Sequence, residues 1–280
     1  MLTLRPVIER SVQRVLYVAG LSTALFFLLA PVLFMILTAF SRRPDFLGNG
    51  FTPTLRHFRE VLAAPSLHFV RYCINSLVIS LASGAASTLI ASAGAYAVTR
   101  FPFRGRNAVL MAILSLSMFP QICIAGYLFR SIAAVGLINT WIGLMVPYVA
   151  WIMPLSFWIL VSYFSQIPRE LDRAACIDGC SPLRTLLTVV FPVAAPGLFS
   201  TMLLAFIFAF NEFMFALMLT TDYTARTVPI GIALFQGLHG EIPWGAVMAA
   251  SVITTAPVVG MALVFQRHIM QGLTRGAIKG

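Results

Sequence analysis

Few residues in this 280-residue chain are placed to do chemistry, and most of those can be set aside by type and spacing. Lys279 is its one lysine, so there is no Gly-x-x-x-x-Gly-Lys loop to cradle ATP and no lysine in an apolar run to form a Schiff base. His57, His68, His239 and His268 fall in loops or at the ends of apolar runs, and neither Gly-x-Ser-x-Gly nor His-Glu-x-x-His occurs. An intramembrane hydrolase would therefore lack both nucleophile and base. Cys73 and Cys123 sit in or beside apolar runs, and Cys176 and Cys180 have no further ligands at matching spacing, so they read as small semi-buried residues rather than a metal site. Two constellations remain. One is the mixed-charge run at 166–192. The other is Asn211–Glu212, flanked by Phe206, Phe208, Phe210, Phe213 and Phe215, with Glu212 the one ionisable group between Arg184 and Asp222. A charge in hydrocarbon needs a partner, water or an interface. Asn211, Glu212, Phe208 and Phe215 are accordingly candidates for a route taken by a hydroxyl-rich solute, and an inter-helix hydrogen bond at the rim explains the pair equally well.

The elements that must position these residues are membrane spans. Of all residues 59% are hydrophobic and 10% charged, against about 25% charged in soluble domains. Mean hydropathy is +0.91. A crossing needs about 20 apolar residues, and six such segments lie near 15–39, 73–98, 108–130, 140–164, 189–220 and 245–266. The N-terminal apolar run is too long for a signal core, and no small-residue cleavage site follows it. Net charge is +10, which in such a chain sets topology and meets anionic headgroups rather than nucleic acid. Placing both termini inside puts 12 of the 19 basic residues on the inner side; the outer loop at 40–72 is itself basic and irregular, with a short helix expected at 54–63. Ser76, Ser80, Gly84, Thr88 and Ser92 recur every four residues, a small-residue stripe that reads as a helix–helix seam before a solute path. Pro31, Pro120, Pro147, Pro154 and Pro257 fall within spans and should bend them.

The run at 166–192 reads as two short helices. Pro168 suits a first turn, Glu170 and Asp172 favour a helix N-terminus, Gly179 stands where a left-handed residue ends a helix, and Ser181 caps a second helix opening on Pro182. Three acids and three arginines at 169–184 leave it nearly neutral. Two well-capped helices across a glycine turn suggest a docking surface for a soluble protein.

Ala174-Ala175-x-x-Asp178-Gly179, twelve residues, then Pro192 resembles the EAA loop of ABC importer permeases, in its carbohydrate-uptake, maltose-permease G-type branch. Residues 69–76, 95–102, 118–120, 208–212 and 272–280 resemble the same branch. The resemblance covers nearly the whole chain. It implies an all-α polytopic fold with six transmembrane helices, the type I ABC importer permease fold. The expected divisions are 1–68 (N-terminal segment, first helix, outer loop), 69–267 (permease core with its coupling loop at 168–186) and 268–280 (tail). The expected location is the inner membrane, with both termini cytoplasmic. It further implies a second homologous permease, two cytoplasmic ATPase subunits that bind ATP and Mg, and an extracytoplasmic solute-binding protein. No cofactor and no nucleic acid belong to this chain, which performs no chemistry itself. Coupling to the ATPase falls to Glu170, Asp172, Arg173, Ala174, Ala175, Asp178, Gly179 and Pro192, and Thr274, Arg275 and Lys279 reach the ATPases from the tail. One position departs: the family's first motif residue is glutamate, and here it is Arg173. Either Asp172 supplies the acidic contact or the ATPase carries a compensating acid. The rival reading, a self-sufficient secondary transporter, would show repeated halves and central ionisable groups, and neither is evident.

Overall fold

The computed structural model describes residues 5–43, 50–235 and 242–277, with the backbone path alone for 5–12, 66 and 266–277. Apart from one Ser41–Pro53 bridge, the described regular structure is helical. The helices are α1 (Arg5–Phe40), α2 (Arg56–Ala63), α3 (Phe69–Arg100), α4 (Arg106–Ser117), α5 (Gln121–Ala134), α6 (Trp141–Phe164), α7 (Glu170–Ile177), α8 (Pro182–Thr185), α9 (Phe191–Phe210), α10 (Met214–Leu219), α11 (Val228–Phe235) and α12 (Trp244–Ala277). They fall into two compact units, Met1–Ala64 with Phe235–Ile253, and Pro65–Leu234 with Thr254–Gly280.

In the first unit α1 exposes most of its apolar side chains, Phe27 at 73% among them, as a helix facing lipid or a partner does. The irregular segment after it folds back on itself. A His57 ring nitrogen lies 3.0 Å from the Ser41 carbonyl, and Gly245 packs so closely on that ring that a Cβ would come within 2.3 Å of it. The expected short helix is present as α2.

The second unit is built around α3, which packs against α6 and α9. Its stripe of small residues is a seam, as expected: Ser76, Ser80, Thr88 and Ser92 are all buried, and Gly84 lets α9 approach until a Cβ would sit 3.0 Å from the Phe206 nitrogen. Hydrocarbon gives helices no hydrophobic drive to associate, so close backbone approach and hydrogen bonds do that work. Ser87 and Ser156 Oγ atoms pair across the seam at 3.1 Å, while Thr88 donates back to the Gly84 carbonyl at 2.8 Å. Tyr148, Leu144 and Ile79 centre one buried cluster, and Phe157, Leu160 and Phe164 another.

Two spans differ from their expected form. The third is not a single helix: α4 and α5 meet at 90° across Met118–Pro120. Pro120 has no N–H to give the ladder and disfavours helical geometry in Phe119 before it, and its own backbone is extended, at φ −67° and ψ 132°. Helices of 12 and 14 residues reach only about 18 and 21 Å each, short of the roughly 30 Å core. Among the described residues five helices are long and apolar enough to cross, and the bent pair is the sixth crossing if it counts as one. By contrast the helices run on through Pro31, Pro147, Pro154, Pro196 and Pro257.

The fifth span stops at Phe210 rather than running to 220, and α10 starts afresh at Met214. Glu212, 9% exposed, makes the break tolerable. Its Oε1 accepts from the Phe215 N–H at 2.9 Å and its Oε2 from the Ala216 N–H at 3.2 Å, so the carboxylate satisfies the first donors of α10. Beyond α10 the segment 220–228 is tied to α3. Asn75 Nδ2 donates to the Tyr223 and Arg226 carbonyls at 3.1 and 2.9 Å, its Oδ1 accepts from the Trp141 indole at 3.0 Å, and Ser76 Oγ accepts from the Val228 N–H at 2.7 Å. At the chain's end the backbone stays helical to Ala277, past the span expected to end near 266.

Replacing Gly84 by leucine should destabilise the seam by about 1–3 kcal/mol, because the atoms it meets are backbone, whereas Gly126→Ala, with open space around it, should be neutral. Thermal unfolding in detergent compares the two. Glu212→Ala should cost about 1–3 kcal/mol by leaving two buried N–H groups unpaired, and Glu212→Gln, which keeps one acceptor, should lose less in the same assay.

Candidate functional site: the charged loop and its attachment to the core

The run at 166–192 folds as its local signals predict. α7 ends in a Schellman motif: Gly179 is left-handed at φ +79°, its N–H reaches the Cys176 carbonyl at 3.1 Å, and the Cys180 N–H reaches Ala175 at 2.9 Å. Ser181 caps α8, accepting from the Arg184 N–H at 3.4 Å, with Pro182 at the first helical position. After α8 the chain makes a π-helical stretch over Leu186–Val190 before Pro192 enters α9. Such insertions concentrate at functional positions.

Side chains divide sharply around α7. Glu170, Arg173, Ala174 and Asp178 are exposed, and Ile177 is 87% exposed at the tip, a large apolar side chain left uncovered among the described residues. Ala175 is buried against the core. Asp172 is turned the same way. Its Oδ2 lies 3.0 Å from Arg100 Nε, an ion pair without hydrogen-bond alignment, and its Oδ1 accepts from the Tyr96 hydroxyl at 2.9 Å. Both Arg100 terminal nitrogens donate to the Ile167 carbonyl at 3.1 Å, and Arg169 donates to the Thr99 carbonyl at 2.9 Å. The Arg100 and Asp172 side chains are only 6% and 15% exposed. Asp172 thus spends its charge inside the chain, and the acid that α7 offers outward beside Arg173 is Glu170. Sequence reasoning assigned Arg100 to topology and missed this pairing. The two residues stand 72 positions apart, one at the end of the second apolar span and the other just after the fourth, and the sequence carries no local signal that they meet.

The second candidate cluster is split by the fold. Asn211 and Phe208 are exposed, Phe208 at 55%, while Phe215 is 1% exposed and packed edge-on to Trp151 at 5.9 Å between ring centres. Glu212 is taken up as the α10 cap, and Asn211 donates to the Ile207 carbonyl at 2.8 Å. A cavity of about 680 Å³ opens beside them, lined by Phe119, Trp151, Pro154, Trp158, Phe208 and Phe215 among others. Of the tail candidates, Thr274 and Arg275 lie on α12 with only their backbone described, and Lys279 lies outside the described residues.

Comparison with known proteins places this architecture. Over 275 residues the chain is 53% identical to the trehalose/maltose transport system permease protein MalG of Thermococcus litoralis, covering 97% of this chain and 99% of that one. It is 40% identical to the trehalose transport system permease protein SugB of Mycobacterium tuberculosis, over 74% of this chain and 76% of that one. To the sulfoquinovosyl glycerol transport system permease protein SmoH of Agrobacterium fabrum it is 37% identical, over 81% and 79%. In fold it resembles a bacterial ABC transporter involved in the import of the acidic polysaccharide alginate, with a TM-score of 0.77 at 19% identity over 92% of this chain and 97% of that one. The sequence profile of the family described as binding-protein-dependent transport system inner membrane component matches residues 86–275. With two thirds of its length inside that profile and a relative of this identity, the chain belongs to the family of binding-protein-dependent transport system inner membrane components, the permease subunits of ABC importers.

Proposed function

We propose that this permease takes up a disaccharide of the trehalose or maltose type, as half of a translocation pathway completed by a second, homologous permease. Two cytoplasmic ATPase subunits, which hold ATP and Mg, would drive it, and an extracytoplasmic binding protein would deliver the solute. The substrate class rests on what the relatives at 53% and 40% identity are named for, trehalose/maltose and trehalose transport. Both termini would lie in the cytoplasm, which would put the 168–186 loop on the ATPase side; the arginine bias supports this reading.

The observation that carries the docking role is the preformed loop itself. Its caps are satisfied internally and its far face is held by Asp172, Ala175 and Arg169, so Ile177 and the Arg173 guanidinium are presented outward on a rigid base. Ile177 would enter an apolar cleft on the ATPase and Arg173 would meet an acid beside it. Closure of the ATPases on ATP would move α7, and the spans would exchange inward- for outward-facing access. Pro192, after the π-helical stretch, would close the coupling loop at the start of α9. Thr274, Arg275 and Lys279 would lie against the ATPases. Along the solute route Asn211 and Phe208 are the exposed contacts, an amide for sugar hydroxyls and an aromatic face for the pyranose, with Glu212 and Phe215 holding them in place.

Co-expression with the partner ATPase subunit tests docking. Ile177→Asp and Arg173→Glu should each lower ATPase recovery on the purified permease by about tenfold, the equivalent of roughly 1.4 kcal/mol, while the permease itself accumulates normally. Undiminished recovery in both variants would refute docking through α7. Asn211→Leu should raise the KM for disaccharide uptake and leave ATPase recovery untouched.

A further inference from the structure

α3 is continuous over 32 residues, Phe69–Arg100, which at about 1.5 Å per residue gives a rod of roughly 48 Å. Each end is fastened to a different irregular segment of the same compact unit. At one end Tyr96, Thr99 and Arg100 grip the α6–α7 elbow and the first turn of α7, through Asp172, Ile167 and Arg169. At the other end Asn75 and Ser76 grip the 220–228 segment through its backbone. That segment is braced again by Asn139, itself left-handed at φ +60°, whose Oδ1 accepts from the Thr221 and Asp222 N–H groups at 3.2 and 3.3 Å. The covalent routes out of α7 are not continuous α-helix. Towards α6 they pass through 165–169, and towards α9 through the Gly179 turn and the π-helical stretch.

We propose that the Arg100–Asp172–Tyr96 clamp makes α3, rather than the helices joined covalently to the loop, the strut that carries displacement of α7 to the 220–228 segment at the opposite face. Arg100 and Asp172 are positioning residues: they touch neither ATP nor solute and act by fixing α7 to the end of α3. Arg100 is suited to it. Its planar fork holds the Ile167 carbonyl with two terminal nitrogens while Nε faces the carboxylate, so the elbow and the helix after it are held as one piece. The inference rests on the docking reading above.

The test uses the assembled transporter with its four native cysteines changed to serine and the exposed Thr221 changed to cysteine as a reporter. The rate of modification by a membrane-impermeant maleimide is measured with and without ATP and vanadate. ATP should change the rate by about tenfold in the parent protein, within the range of ordinary allosteric coupling. Arg100→Gln and Asp172→Asn should each abolish the response, and the exchange Arg100→Asp with Asp172→Arg, which returns the ion pair without the bonds to the Ile167 carbonyl, should restore part of it. Tyr96→Phe, which removes one hydrogen bond and no charge, should weaken the response in part. Asn75→Leu, at the far end and remote from α7, should abolish it while ATPase recovery stays normal, which keeps the test decisive if the charge variants fail to assemble. A reporter that ignores ATP in the parent, or that still responds in Asp172→Asn and Asn75→Leu, would overturn the proposal. Loss of ATPase from the parent protein itself would instead refute the docking reading.

Discussion

A backbone in hydrocarbon has no water to bond to, so each N–H and C=O must find a partner within the protein. That constraint organises this chain. It makes the spans helical, and it decides how they can be interrupted. The break after Phe210 leaves the Phe215 and Ala216 N–H groups at the start of α10 buried without helical partners, and Glu212 supplies an acceptor to each. The break at Pro120 is tolerable for a related reason: proline has no N–H to leave unpaired. Along α3, Thr88 and Thr99 return their hydroxyls to carbonyls one turn back and Ser87 pairs with Ser156 across the seam, so most of a polar stripe can be buried with its hydroxyls partnered, Ser83 being the exception.

The same constraint explains where charge is found. Most of the arginines stay at span ends, and the acids are too few to neutralise them. Where an acid and an arginine do meet under low exposure, at Asp172 and Arg100, the arginine also holds a backbone carbonyl and the carboxylate a tyrosine hydroxyl. A buried pair without those extra bonds repays its desolvation poorly. With them the pair contributes geometry: it fixes a polar helix to the end of an apolar one. A loop that takes force from another subunit, as proposed, would need such a base, with Ile177 and Arg173 left outward for the partner.

Much of this was legible in the residues. Spans declare themselves by length and hydropathy, and the loop's two helices by Gly179, Ser181 and Pro182, because capping is local. The seam was legible because Ser76, Ser80, Gly84, Thr88 and Ser92 keep one spacing. What could not be read depends on distance along the chain. The role of Glu212 required knowing that α9 ends one residue before Asn211, and hydropathy runs on through that point. The 90° turn at Pro120 and the uninterrupted course through Pro147 and Pro154 involve the same residue type, and packing decides between them. Asp172 looked free for a partner until Arg100, from another span, was seen to hold it.

The central claim is that transport by this chain is driven from outside it, through a docked ATPase. Its most direct test is uptake of labelled trehalose and maltose into proteoliposomes. The account predicts ATP-dependent accumulation when the chain is reconstituted with its second permease, both ATPases and the binding protein, and none by the chain alone under any ion gradient. Accumulation by the chain alone, driven by a proton or sodium gradient and indifferent to ATP, would contradict it.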